Sequence, residues 1–161
     1  MSNVIFEDTR NQQLKHTNKG KWFKENGYEV IRTKLPYGDY QLPNGNIFVD
    51  TKKDMLELLS NLTKDHERFR NELILAQKCN SKLYILVEEG NYLTLKNIHL
   101  WKSPVRKGGI NKGIPFSIAN MSSVQKMMIT MESKYNCKFV FCNKDESAKI
   151  IIKLLKGEYE C

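Results

Sequence analysis

The hydrophobic pattern changes period along the chain, and each change predicts an element. Val4-Ile5-Phe6 is a short apolar run that reads as a strand, ending in Glu7 and Asp8. Asn18 is placed to cap a helix that buries Trp22 and Phe23 and stops at Asn26-Gly27. Tyr28–Lys34 reads as a strand, and Leu35-Pro36 leads out of it. Tyr37–Lys52 then has the turn signal and side-chain pattern of a β-hairpin. Leucines at 56, 58, 59 and 62 mark a helix. A longer helix follows, with Thr63 as its N-cap and acids in its first turn, where the helix dipole favours them. Its Phe69, Leu73 and Ala76 recur at helical spacing and face the core. Leu83–Val87 is continuously apolar, as in a strand covered on both faces. Ile118–Tyr135 is a Met-rich amphipathic helix, Lys138–Cys142 a strand, and Asp145–Lys156 a last helix ended by Gly157. This interleaving predicts an α/β domain with a central mixed β-sheet flanked by helices. The Leu83–Val87 and Phe139–Phe141 strands, joined by a helical crossover, are its parallel pair.

The hairpin carries the candidate chemistry. Asn44-Gly45 suits a two-residue type I′ turn, in which both central residues have positive φ. Pro43 then faces Asn46, Tyr40 faces Val49, and Asp39 faces Asp50. Side chains alternate faces along a strand. Tyr40, Leu42, Ile47 and Val49 fall on one face; Asp39, Gln41, Phe48, Asp50 and Lys52 fall on the other. Two carboxylates directly opposite each other repel. A divalent cation between them removes the repulsion, and Mg²⁺ takes such oxygens readily. Lys52 shares the face and can hold an anion near the metal. A solvated acidic face with an ordinary lysine beside it explains the same geometry equally well.

Charge narrows the partner. The 161 residues suit one domain, 1–161, and the formal net charge of +8 points to a polyanion, nucleic acid first and an anionic membrane surface second. No apolar run spans a bilayer and no signal-peptide layout is visible, so the expected setting is cytoplasmic, with no membrane partner. Four cysteines form no CxxC pair and the three histidines are scattered, so no zinc site is expected; Cys79, Cys137 and Cys142 read as buried small hydrophobes. The segment from Gly90 to Met131 contains no Asp or Glu. Within it a loop over about 90–116 brings Lys102, Arg106, Lys107 and Lys112 as candidate phosphate contacts. A disordered surface loop with Trp101 as its anchor is the competing reading.

Gly38-Asp39, a short hairpin and Asp50-Thr51-Lys52 followed by a helix resemble the GD…ERK signature of the PD-(D/E)XK nucleases, in detail the XPF-type nuclease domain. Glu7-Asp8-Thr9-Arg10 resembles the VDxRE strand end of that family, NLTKDHERFRNEL its next helix, KLYILVEE its next buried strand, and YNCKFVFC its closing strand. The resemblance spans the chain and is closest to small phage and bacterial members without a helix-hairpin-helix domain. It implies a restriction-endonuclease-like fold and a Mg²⁺-dependent DNA endonuclease, with Mn²⁺ able to substitute. Asp39, Asp50 and Lys52 would be catalytic, and Asp39 and Asp50 metal ligands. For Asp8 the spacing allows either a strand-end cap or a third ligand; the resemblance favours the ligand. It also marks Arg10 and Arg68 as DNA contacts, although a solvated helix face suits Arg68 as well. Branched or flap DNA is the implied substrate and a homodimer the implied assembly.

Three departures accompany it: Asp50 stands for the motif glutamate, Thr51 for its arginine, and Asn11 for the second acid of VDxRE. A gapless alignment back from Asn61-Leu62 would put Thr51 and Lys53 at the acid and lysine positions, but hairpin phase places Asp50 opposite Asp39. A nuclease fold that grips DNA without cutting it is the alternative function.

Overall fold

The computed structural model describes residues 3–10, 17–90, 92–102 and 118–160. Strands β1 (Val4–Asp8), β2 (Glu29–Thr33), β3 (Tyr40–Gln41), β4 (Ile47–Lys52), β5 (Lys82–Val87) and β6 (Cys137–Phe141) form one sheet in the order β2-β1-β3-β4-β5-β6. β3 is antiparallel to both neighbours; β1–β2, β4–β5 and β5–β6 are parallel. The sheet is therefore mixed, and its parallel strands end on one edge, the usual place for ligands in open α/β sheets.

Helices cover both faces. α2 (Met55–Thr63), α3 (His66–Lys78) and α4 (Ile118–Lys134) close one core, with Phe48, Leu83, Ile85 and Val87 from the sheet. α1 (Thr17–Glu25) and α5 (Ser147–Leu155) serve the other core, with Ile5, Tyr40, Val49 and Leu86. The two faces assigned to the hairpin are thus the two cores, and Phe48 is buried beside the acids. Lys19 of α1 and Glu88, just after β5, form a buried ion pair at 2.9 Å that ties the first helix to the sheet edge. Nothing in the linear pattern marks that pair.

Several boundaries differ from the pattern. The hairpin register holds, with Tyr40 opposite Val49 and Gln41 opposite Phe48. The turn does not: Gly45 N–H donates to Leu42 O at 2.9 Å, and Asn44 has a φ of 60° while Gly45 is not positive. Pro43 fixes its own φ at the second turn position, which leaves Asn44 as the positive-φ residue, the pattern of a type II turn. Thr63 ends α2 and donates from Oγ1 to Leu59 O at 2.8 Å; Asp65 occupies the N-cap position of α3. Cys137 and Cys142 are buried, but Cys79 is exposed at the end of α3. Among the described residues no helix is long and apolar enough to cross a membrane.

Candidate active site

Gly38 sets up the site. Its φ is 71°, a region that favours glycine, and an added Cβ would lie 3.3 Å from Phe48 Cβ and Val49 O. The turn at Gly38 takes the chain away from β4 before the ladder is complete. Asp39 N–H still bonds Val49 O at 2.8 Å, but Thr51 N–H has no backbone carbonyl left to meet. The Asp39 carboxylate takes that place: its Oδ2 accepts from Thr51 N at 2.8 Å and from Thr51 Oγ1 at 2.7 Å. Thr51, where the family motif has arginine, therefore orients the first acid.

Asp50 and Lys52 follow on β4, both buried, with Asp50 Oδ2 2.9 Å from Lys52 Nζ. That contact is a buried ion pair between neighbouring positions of one strand face. Burial pushes the Asp50 carboxyl up to about 6, Lys52 pulls it back, and Asp39 adds to the rise. Burial works against charge on Lys52 too, but Asp50, Glu72 and Asp39 outweigh it and hold the ammonium above its ordinary value. The Lys52 Nζ also lies 5.7 Å from the centre of the Phe69 ring.

These groups open into a cavity of about 480 Å³ that is also lined by Asp8, Arg10, Arg68 and Glu72. Asp8, at the end of β1, is already engaged at both oxygens: Leu35 N–H donates to Oδ1 at 2.9 Å, and Arg10 Nε to Oδ2 at 2.8 Å. Arg10 also donates to Leu35 O, so Asp8 and Arg10 together fix the approach to the hairpin. Arg68 reaches the cavity from α3, whereas Arg70 does not: two residues turn a helix by about 200°. Lys102 is exposed and outside the cavity lining. Asn11, Arg106, Lys107 and Lys112 lie outside the described residues. Trp101 is buried and donates to Glu89 Oε1 at 2.9 Å, while Glu89 Oε2 accepts from Met55 N, so the anchor of the basic segment is joined to the start of α2.

Glu72 joins the site from α3, a placement that the hairpin motif does not indicate. Its Oε1 accepts from Gly38 N at 3.0 Å, and its carboxyl is raised by burial and by Asp50. Its spacing from Arg68, one helical turn on, was the available signal. Among the described residues no three His, Cys, Asp or Glu side chains converge as a complete cage for a metal.

A hairpin acid and a strand acid with a lysine two residues on, at the edge of a mixed α/β sheet, define the restriction-endonuclease-like class of domains. The ERCC4 domain family matches residues 8–154, and the chain belongs to that family. XPF from Aeropyrum pernix has a similar fold at a TM-score of 0.64 and 18% identity, over 95% of this chain and 63% of that one. XPF from Aeropyrum pernix in complex with DNA gives a TM-score of 0.63 at 17% identity, with the same coverages of 95% and 63%. The chain thus spans 63% of the length of these structures, and at such identity the likeness is one of fold. A search of curated protein sequences found no match.

Proposed function

We propose that this chain is a Mg²⁺-dependent DNA endonuclease acting at branched or flap junctions, with Asp39 and Asp50 as metal ligands and Lys52 as the third catalytic group. The observation that carries it is the crowding of buried carboxylates at one cavity: Asp50 and Asp39, with Glu72 beside them, gather around the Lys52 ammonium. Several buried acids beside one ammonium leave like charges that repel, and a further cation between Asp39 and Asp50 offsets that repulsion. Two carboxylates suffice for Mg²⁺, which keeps several waters and needs no complete protein cage. Bound there, the ion would supply Lewis acidity at the scissile phosphate and lower the pKa of a coordinated water.

The chain's own residues supply the rest. Thr51 holds Asp39 in one orientation. The Lys52 ammonium, kept protonated by its acidic neighbours, orients the attacking water and offsets charge that develops on the phosphate oxygens. Arg68 is placed at the cavity to grip a flanking phosphate. Family membership and the DNA complex of the similar XPF structure support DNA as the substrate. Junction specificity rests on the resemblance to XPF-type domains.

The test is cleavage of labelled flap, branched and linear DNA with Mg²⁺, Mn²⁺ or EDTA, together with Mn²⁺ binding read by electron paramagnetic resonance. The expected result is cleavage with either metal and none in EDTA. Asp39→Asn loses both cleavage and Mn²⁺ binding, with little change in metal-free stability, because asparagine keeps an acceptor for Thr51 and removes one of two like charges. DNA binding without cleavage would instead identify a grip-only module.

A further inference from the structure

α3 has two polar flanks, and only one of them faces the acids. Arg68 and Glu72 line the cavity at Asp39 and Asp50. His66 and Arg70 face a separate groove of about 480 Å³ between α3 and α4, which shares no lining residue with that cavity among the described residues. α4 adds Lys126 and Lys134. None of the nine described residues lining the groove is acidic, and Arg70, Lys126 and Lys134 are exposed. Its base is firm. Gln77 Nε2 on α3 donates to Lys134 O at 3.0 Å and joins the two helices. The Lys134 Nζ lies 5.5 Å from the centre of the Tyr135 ring, and Tyr135 is buried. Three permanent cations without an acid among them attract a polyanion, and they repel a second copy of the same face.

We propose that the α3–α4 groove grips the phosphate backbone of a DNA arm that leaves the catalytic cleft across α3. The proposal rests on the nuclease reading, which puts DNA at the cleft. A helix with its side chains is about 10–12 Å across, and phosphates of one strand recur about every 3.4 Å along the duplex axis. About three phosphates therefore separate an arm's contact with Arg68 from its contact with Arg70. Contacts of this kind position the duplex and carry no sequence information. The groove thus measures the presence of an arm, not its sequence.

The experiment uses the full chain in EDTA and fluorescence anisotropy with a linear duplex of about 20 base pairs, across a salt series. The variant is Arg70→Ala/Lys126→Ala/Lys134→Ala, with far-UV circular dichroism as the check on folding. Each lost phosphate contact reduces the slope of log K against log salt by about 0.9 on duplex DNA. The triple variant should therefore lose nearly three units of slope. Between about 50 and 200 mM salt the wild type should lose about 40-fold more affinity than the variant. Lys149→Ala/Lys153→Ala, exposed on the α5 side of the sheet, should keep the wild-type slope. Charge reversal, Lys126→Glu/Lys134→Glu, should weaken binding further for unrelated DNA sequences alike.

A triple variant with the wild-type slope overturns the groove, as does a wild type that binds no duplex. So does a wild-type dimer in sedimentation that the triple variant dissociates while the salt slope stays unchanged; the groove would then be an interface between copies. If the wild type binds with the expected slope but cleaves nothing under any metal, the nuclease reading fails and the groove stands.

Discussion

Thr51 is the residue whose chemistry the family motif hides. Its hydroxyl and its backbone N–H both end on one Asp39 oxygen. Thr51→Val removes the hydroxyl donor and leaves the backbone bond. A single lost hydrogen bond of this kind costs about 1 kcal/mol. On the proposed function the activity cost exceeds that of a bystander, because an Asp39 free to rotate would be misplaced for the metal and the phosphate. Thr51→Val should lower cleavage about tenfold, and Thr51→Ser should restore it. Cleavage assays on the two variants, with thermal melting alongside, check this. Equal activity in Val and wild type would reduce Thr51 to a packing residue.

At the scale of the element, hairpin phase decides which lysine stands beside the acids. β4 is buried on both faces, yet Lys52 and Lys53 differ completely: Lys52 is buried beside Asp50, and Lys53 is exposed. Period-two alternation puts only Lys52 on the face shared with Asp39 and Asp50. Lys52→Ala should lower cleavage by about a hundredfold or more, the scale of losing one group that meets developing charge. Lys53→Ala should leave it unchanged. The measurement is single-turnover cleavage at saturating DNA, and an inactive Lys53→Ala would mean that the frame of the hairpin is wrong. The turn and the helix junction were less legible. Pro43 overrode the Asn44-Gly45 signal by constraining its own φ, and Thr63 turned its hydroxyl back onto the helix it ends.

For the whole molecule the buried acids couple stability to pH. Asp50, at about 6, and Glu72 both have folded-state pKa values above those of the unfolded chain. The folded chain therefore holds more protons than the unfolded chain through that window, and stability falls as pH rises through it. The Lys52 ammonium is stabilised in the folded state; its contribution is lost only in strongly alkaline solution and is constant here. In EDTA the protein should be more stable at about pH 5 than at about pH 7, by on the order of 1–3 kcal/mol. On the proposed function Mg²⁺ would compete with protons for the same oxygens, and adding it should flatten or reverse that trend. Urea denaturation at the two pH values, with and without Mg²⁺, measures both effects. A steady loss of metal-free stability from about pH 7 to about pH 5 would overturn the picture of a strained acid pair.

The sequence by itself determined the order of strands and helices, the hairpin register and the convergence of Asp39, Asp50 and Lys52. These follow from periodicity and from pairing arithmetic, which act over a few residues and survive any tertiary arrangement that keeps one face buried. Tertiary structure decided what meets across the chain. Glu72 reaches Gly38 from α3, Lys19 pairs with Glu88 from α1, and Arg70 turns away from the acids into the groove with α4. Those contacts depend on how helices rotate over the sheet. That rotation is set by close packing of side chains distant in sequence, for which no local pattern carries the information.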